Sequence, residues 1–296
     1  MPTHSFLSSL QSSTKGAAGV FQQAFPVPSK PVRLGVLEKL NVNVVGGGKP
    51  TLLFCNGFNC NQHIWNYLRP RLAVHYHLVF FDQMGTGDSD LTAYEAEKYS
   101  TLEAYAQDVI EVCEALSLHD VVLIGHSVGA MIGLLAANRA PAYFSKVVLM
   151  AVSPCYINEP GYYGGFERQD LLDLLAAMDD NYQSWASTFA TMLMGQDQPA
   201  ALGYELAGYF CQADPTIARR FARLSFLADN RADVAQLPLP ALLLQCREDV
   251  AVPDEVTAYL QAQLPQATLI TLNTTGHCPH LSAPLEVLAA LQEFLA

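Results

Sequence analysis

The chain has 296 residues, 51% of them hydrophobic, enough to bury a large core in one α/β domain. A formal net charge of −12, unbroken by any basic patch, repels phosphate backbones and anionic lipid surfaces, which disfavours nucleic acid and membrane as partners and leaves small neutral ligands or proteins. Seven cysteines, scattered without Cys-x-x-Cys or Cys/His ligand spacing, read as reduced, mostly buried thiols of a cytoplasmic protein and offer no metal site.

Residues 1–34 are rich in Ser, hold no Asp or Glu, and end in the Pro-rich "FPVPSKP" with Lys15, Lys30 and Arg33 as their only Lys or Arg residues. They predict a flexible N-terminal extension without the continuous apolar core of a secretory signal, followed by a domain over residues 35–296. Next, "VNVVGGGKP" reads as an early hairpin leading into a strand at 51–54. Further apolar, β-branched segments recur at 78–81, 121–124, 147–150, 242–246 and 268–272, with helical spacing at 102–116 and 254–264 between them. Strands alternating with helices predict an α/β fold, a mostly parallel sheet covered on both faces. The longest apolar run, 121–137, has His126 and Ser127 in its middle and is too short to cross a bilayer.

Between residues 150 and 242 the alternation stops. Residues 155–228 look helical and contain 12 aromatic residues, the pattern of a helical insertion between two strands. Within it Leu171, Leu175, Met178, Tyr182, Trp185 and Phe189 follow steps of four and three, which puts them on one face of one helix or of two in series. Such a stripe is either ordinary core or the underside of a cap over a cavity.

The sharpest local signal is Gly125-His126-Ser127-Val128-Gly129, placed between an apolar strand and a helical pattern. It fits a nucleophile elbow, in which a strand turns abruptly into a helix and leaves the serine hydroxyl exposed; glycines are needed because the two backbones come too close for side chains. A serine hydroxyl is a poor nucleophile until a base takes its proton and an acid supports that base. Asp249 in "LLLQCREDVAVP" and His277 in "LITLNTTGHCPH" each follow a strand, in the order that this architecture requires, with Glu248 and His280 as neighbouring rivals. The apolar "VAVP" after Asp249 seats its loop, and Gly276 lets His277 approach the serine; His126 reads as a packing or hydrogen-bonding residue. For the oxyanion of a tetrahedral intermediate, the N–H of Val128 supplies one donor and that of Phe58, in "CNGFNCNQHIW", the other. That loop has Asn56-Gly57 where many hydrolases have His-Gly, a change in a supporting side chain rather than in the N–H groups.

Together "GHSVGAMIG", "SPCYIN", "YYGGFE", "GHCPHLSAP" and "YAQDVIEVCEAL" resemble the RsbQ-like α/β-hydrolase family, which includes a bacterial activator of the general stress sigma factor B and the plant karrikin and strigolactone receptors. The resemblance runs from about residue 35 to the C-terminus. It implies an α/β-hydrolase fold with a four-helix lid at about 155–228, and a triad on Ser127, Asp249 and His277. It also implies oxyanion donors at Phe58 and Val128, and an apolar pocket with Phe166, Trp185, Phe189 and Phe226 in the aromatic positions. Neither metal nor organic cofactor is required. Turnover or occupancy would be read out by a protein partner, in the bacterial case a PAS-containing phosphatase or sensor protein.

Three readings differ in class. One is a serine hydrolase of a small hydrophobic ester or lactone that also signals through a partner. Another is a metabolic esterase or carbon–carbon hydrolase with no partner. The last is a non-catalytic small-ligand receptor, against which the presence of all three triad residues weighs.

Overall fold

Residues 35–296 are described by a computed structural model; the 1–34 extension lies outside the described residues. The apolar runs pair side by side into one sheet of seven strands: β1 (Asn43–Val45), β2 (Thr51–Cys55), β3 (His77–Phe80), β4 (Val121–His126), β5 (Phe144–Met150), β6 (Ala241–Glu248) and β7 (Thr268–Thr275). Their order is β1-β3-β2-β4-β5-β6-β7, and every neighbouring pair is parallel except β1 with β3. All six residues of β4 are buried, so both faces of the sheet are covered there and the strand reads as a continuous apolar run rather than an alternating one.

The expected hairpin does not form. β1 pairs antiparallel with β3, Asn43 opposite Phe80, because both edges of β2 are taken by the parallel strands β3 and β4. "VNVVGGGKP" therefore carries the chain across from the sheet edge instead of folding it back on itself.

Among the described residues, eight helices of ten or more residues accompany the strands. The first two are α1 (Leu102–Ala115), with Leu102, Tyr105, Val109 and Val112 on its buried face, and α2 (Val128–Arg139), which is buried almost all round. Between β5 and β6 run α3 (Arg168–Asp180), α4 (Tyr182–Met194), α5 (Ala200–Gln212) and α6 (Pro215–Phe226). A capping box of Glu167 and Asp170 starts α3, the Asn181 side chain accepts from the Ser184 N–H to start α4, and Asp214 caps α6 ahead of Pro215. The break at Asn181 splits the apolar stripe of Leu171 to Phe189 over two helices. α7 (Asp254–Gln263) and α8 (Pro284–Leu295) complete the set.

All seven cysteines are unpaired and only Cys211 is exposed. Among the described residues no helix is long and apolar enough to cross a membrane.

Candidate active site

The β4–α2 junction exposes one hydroxyl by force of backbone geometry. Ser127 holds φ at 54° and ψ at −125°, a region that a side chain normally avoids and that marks a site where neighbouring structure over-determines the chain. Hydrogen bonds on either side pin it: the Ser127 N–H donates to the Met150 carbonyl at 2.8 Å, and the Ala130 N–H donates to the Ser127 carbonyl at 2.9 Å. Gly125 allows the bend, since a Cβ there would stand 2.4 Å from the Ala130 Cα.

Two loops from the far half of the sheet converge on this corner. His277 Nε2 lies 2.8 Å from Ser127 Oγ, and His277 Nδ1 lies 2.8 Å from Asp249 Oδ2. A carboxylate only accepts, so Nδ1 carries the ring proton and Nε2 offers its lone pair to the serine O–H. The second Asp249 oxygen accepts the Ala251 N–H at 2.8 Å, and the carboxylate is wholly buried. The main chain of His277 is fastened as well: its N–H donates to the Leu193 carbonyl in the last turn of α4 at 2.7 Å, while the Gly276 N–H donates to the Glu248 carbonyl at 2.8 Å.

The rival residues lie elsewhere. Glu248 is exposed, with its carboxylate 3.6 Å from Arg247 Nε, and His280 packs beneath the site against Trp65 and His126 without touching Ser127.

After β2 the chain passes through Asn56, Gly57 and Phe58. Asn56 pegs this loop from below, donating Nδ2 to the Phe81 carbonyl at 2.9 Å and accepting from Trp65 Nε1 at 2.8 Å. A buried amide with two satisfied bonds thus stands at the Asn56 position. Phe58 is buried amid the rings of Phe226, Phe210 and Phe221, at centroid distances of 5.1, 5.7 and 5.8 Å. Val128 is the first residue of α2, where backbone N–H groups have no intrahelical partner and the helix dipole favours negative charge.

Above Ser127 and His277 is a narrow cavity of about 50 Å³ walled by Phe58, Tyr156, Phe166, Leu171, Phe189 and Phe226, with further apolar residues from α4 and α5. Its lining is almost entirely apolar, which suits a small hydrophobic group rather than a charged one. Phe166, Phe189 and Phe226 stand in this wall as the sequence suggested; Trp185 does not. Its ring stacks behind Phe189 at 4.7 Å and meets Phe58 edge-on at 6.1 Å, one layer back from the cavity.

Sequence reasoning missed Tyr156, whose phenol lies beside the Ser127 hydroxyl. Burial pushes this phenol up to about 12, partly countered by the contact with Ser127, so it stands as a neutral donor at the cavity wall. Its position shortly after the carboxyl end of β5 was the available signal, because ligands of open α/β sheets bind at the carboxyl ends of the strands. Phe210 and Leu206 of α5, also in the wall, carried no such cue. Among the described residues no group of three or more His, Cys, Asp or Glu side chains is arranged to hold a metal ion.

Comparison with known proteins shows the family and the fold. Residues 52–291 match the model of the alpha/beta hydrolase family. The chain is 36% identical over 260 residues to a karrikin insensitive 2 receptor of Petunia hybrida, covering 87% of this chain and 96% of the receptor. It is 34% identical over 261 residues to a strigolactone esterase of Arabidopsis thaliana, covering 88% and 97%. Among solved structures, a hydrolase from Oleispira antarctica superposes with a TM-score of 0.86 at 37% identity, over 88% of this chain and 96% of that one.

Proposed function

This chain belongs to the alpha/beta hydrolase family, and we propose that it is a serine hydrolase of small hydrophobic esters or lactones, with Ser127 as nucleophile, His277 as base and Asp249 as the supporting acid. The observation that carries this reading is the unbroken hydrogen-bonded chain from Asp249 through His277 to Ser127, with both links at 2.8 Å, opening into an apolar cavity.

The chemistry follows from the hydrogen bonds. His277 Nε2 takes the hydroxyl proton as Ser127 Oγ bonds to the carbonyl carbon, and the carbonyl oxygen becomes an oxyanion facing the N–H groups of Val128 and Phe58. The carbon–oxygen bond to the alcohol then breaks, and the leaving oxygen takes the proton from His277. An acyl group remains on Ser127. Water gives its proton to the same imidazole, its oxygen attacks the acyl carbon, and the acid departs as Ser127 regains its hydrogen. Asp249 keeps the imidazole in the tautomer this cycle needs and supports its transient positive charge.

Hydrolysis of p-nitrophenyl acetate and butyrate tests the reading. Ser127→Ala should lower the rate by at least about 10³-fold; equal rates for the two proteins would overturn it.

A second layer of the proposal is that the helical insertion over residues 155–228 acts as a lid whose outer face reports ligand turnover to a protein partner. Similarity to a plant receptor supports this layer, and the RsbQ-like sequence blocks suggest a PAS-containing phosphatase or sensor protein as the partner. Seven unpaired cysteines suit a reducing cytoplasm. Affinity capture from the native host, with wild type and Ser127→Ala as baits, should recover such a partner; recovery of no specific protein by either bait would favour a metabolic esterase.

A further inference from the structure

Two buried histidines, His126 beside Ser127 in the elbow and His280 packed beneath it, take no part in the proton relay. His126 donates from Nε2 to the backbone carbonyl of His277 at 2.8 Å. A carbonyl oxygen only accepts, so this bond places the ring proton on Nε2 and leaves Nδ1 bare. That Nδ1 has no partner among the described residues and faces the Gly57 turn, where a Cβ would stand only 2.4 Å from it. His280 is fully buried, with its ring centroid 4.5 Å from His126 and 4.7 Å from Trp65, and neither of its nitrogens has a partner among the described residues. Trp65 in turn donates to Asn56, the residue before Gly57.

These contacts close a ring. From Asn56 it runs through Trp65, His280 and His126 to the carbonyl of His277, and the direct approach of His126 to Gly57 completes it. The imidazole of His126 therefore stands between the two loops whose spacing hydrolysis depends on, one carrying Phe58 and the other carrying the base. Burial, followed by the neighbouring His280 and His277, pushes His126 well below the ordinary histidine range, and burial followed by His277 pushes His280 down to about 3. Both rings are neutral, so neither sets a fixed positive charge against the proton that His277 receives.

Burying two imidazoles in this layer costs desolvation that apolar rings of similar shape would avoid. Their placement calls for a reason other than stability. We propose that His126 is a positioning residue: by bridging the His277 carbonyl and the Gly57 turn it sets the distance between the base and the oxyanion donors, with His280 wedging its ring in place. This inference rests on the serine-hydrolase reading of the same site.

The test compares wild type, His126→Leu, His126→Gln and His126→Asn in two assays. One is steady-state hydrolysis of p-nitrophenyl butyrate. The other is the rate at which a fluorophosphonate labels the protein, a step in which Ser127 Oγ displaces fluoride from phosphorus and His277 takes the hydroxyl proton. Leucine keeps the packing volume but loses the donor, whereas the glutamine amide reaches the place of Nε2 and the asparagine amide falls short of it. His126→Leu should lower kcat by on the order of 10²-fold with KM within about twofold of wild type, and slow labelling in parallel. His126→Gln should recover most of both, and His126→Asn little.

Equal losses in the glutamine, asparagine and leucine variants, a loss confined to KM, or no loss at all would overturn the proposal. Should His126→Leu fail to fold, the contrast between glutamine and asparagine decides alone. A wild type inert toward both reagents would instead sink the hydrolase reading, so the two failures are distinguishable.

Discussion

The carbonyl oxygen of Asn56 occupies the space where a side chain on Gly129 would begin: a Cβ there would stand 2.1 Å from it and 2.6 Å from the Cys55 carbonyl. The first turn of α2 is thus laid directly on the end of β2, backbone against backbone. Gly129→Ala should destabilise the protein by about 3 kcal/mol or more, because the clash is with main chain that cannot swing aside as a flexible side chain would. Urea denaturation of the variant checks this, and an unchanged midpoint would contradict it.

Asp249→Asn should leave the fold intact and lower kcat for p-nitrophenyl acetate by on the order of 10³- to 10⁴-fold. The carboxylate accepts from both His277 Nδ1 and the Ala251 N–H. If the amide oxygen keeps the Ala251 bond, its NH₂ faces Nδ1 and selects the tautomer with the proton on Nε2, which leaves no lone pair for Ser127. Circular dichroism matching wild type alongside the kinetic loss would separate this effect from unfolding.

Phe189→Ala should widen the cavity and change which esters are preferred. Phe189 stands in the wall between Phe58, 6.4 Å away, and Trp185, on which it stacks. Removing the ring should raise kcat/KM for p-nitrophenyl octanoate relative to acetate by about tenfold or more, as several methylenes gain an apolar site, and cost about 3 kcal/mol of stability. An unchanged ratio across the ester series would show that acyl length is limited elsewhere.

His280 should govern part of the acid sensitivity of folding. Its side chain is pushed down to about 3 in the folded protein, chiefly by burial, against an ordinary value near 6.5 in the unfolded chain. The folded pKa is depressed, so the stability tied to the neutral ring is fully present above pH ~6.5 and is lost as pH falls toward about 3. Each pH unit in that window removes about 1.4 kcal/mol per histidine, and His126 is shifted in the same direction. His280→Phe should flatten the pH dependence of unfolding between pH 6.5 and 4 by about one proton; curves parallel to wild type would count against it.

Much of the site was legible because its signals are local. An elbow is written in five consecutive residues, and Asp249 and His277 each stand just past a strand that opens with apolar or β-branched residues, Leu242–Leu244 in β6 and Thr268–Leu272 in β7. What stayed hidden depends on which surfaces meet. β1 pairs with β3 rather than with its sequence neighbour β2, a choice made by competition for sheet edges that no short window records. Trp185 and Phe189 lie on the same face of α4, yet only Phe189 reaches the cavity, with the Trp185 ring stacked behind it, and helical spacing alone does not tell which of two rings on one face comes forward. Phe210 and Leu206 enter the wall from α5, again without a mark in the local spacing. The depth of His126 and His280 was invisible too, since histidine serves equally well on a surface and in a core.

Leu193 holds the base through its main chain, one amide bond away from the end of α4. The N–H of His277 has a single hydrogen to give and gives it to α4, so the insertion between β5 and β6 and the imidazole 2.8 Å from the Ser127 hydroxyl share one fastening.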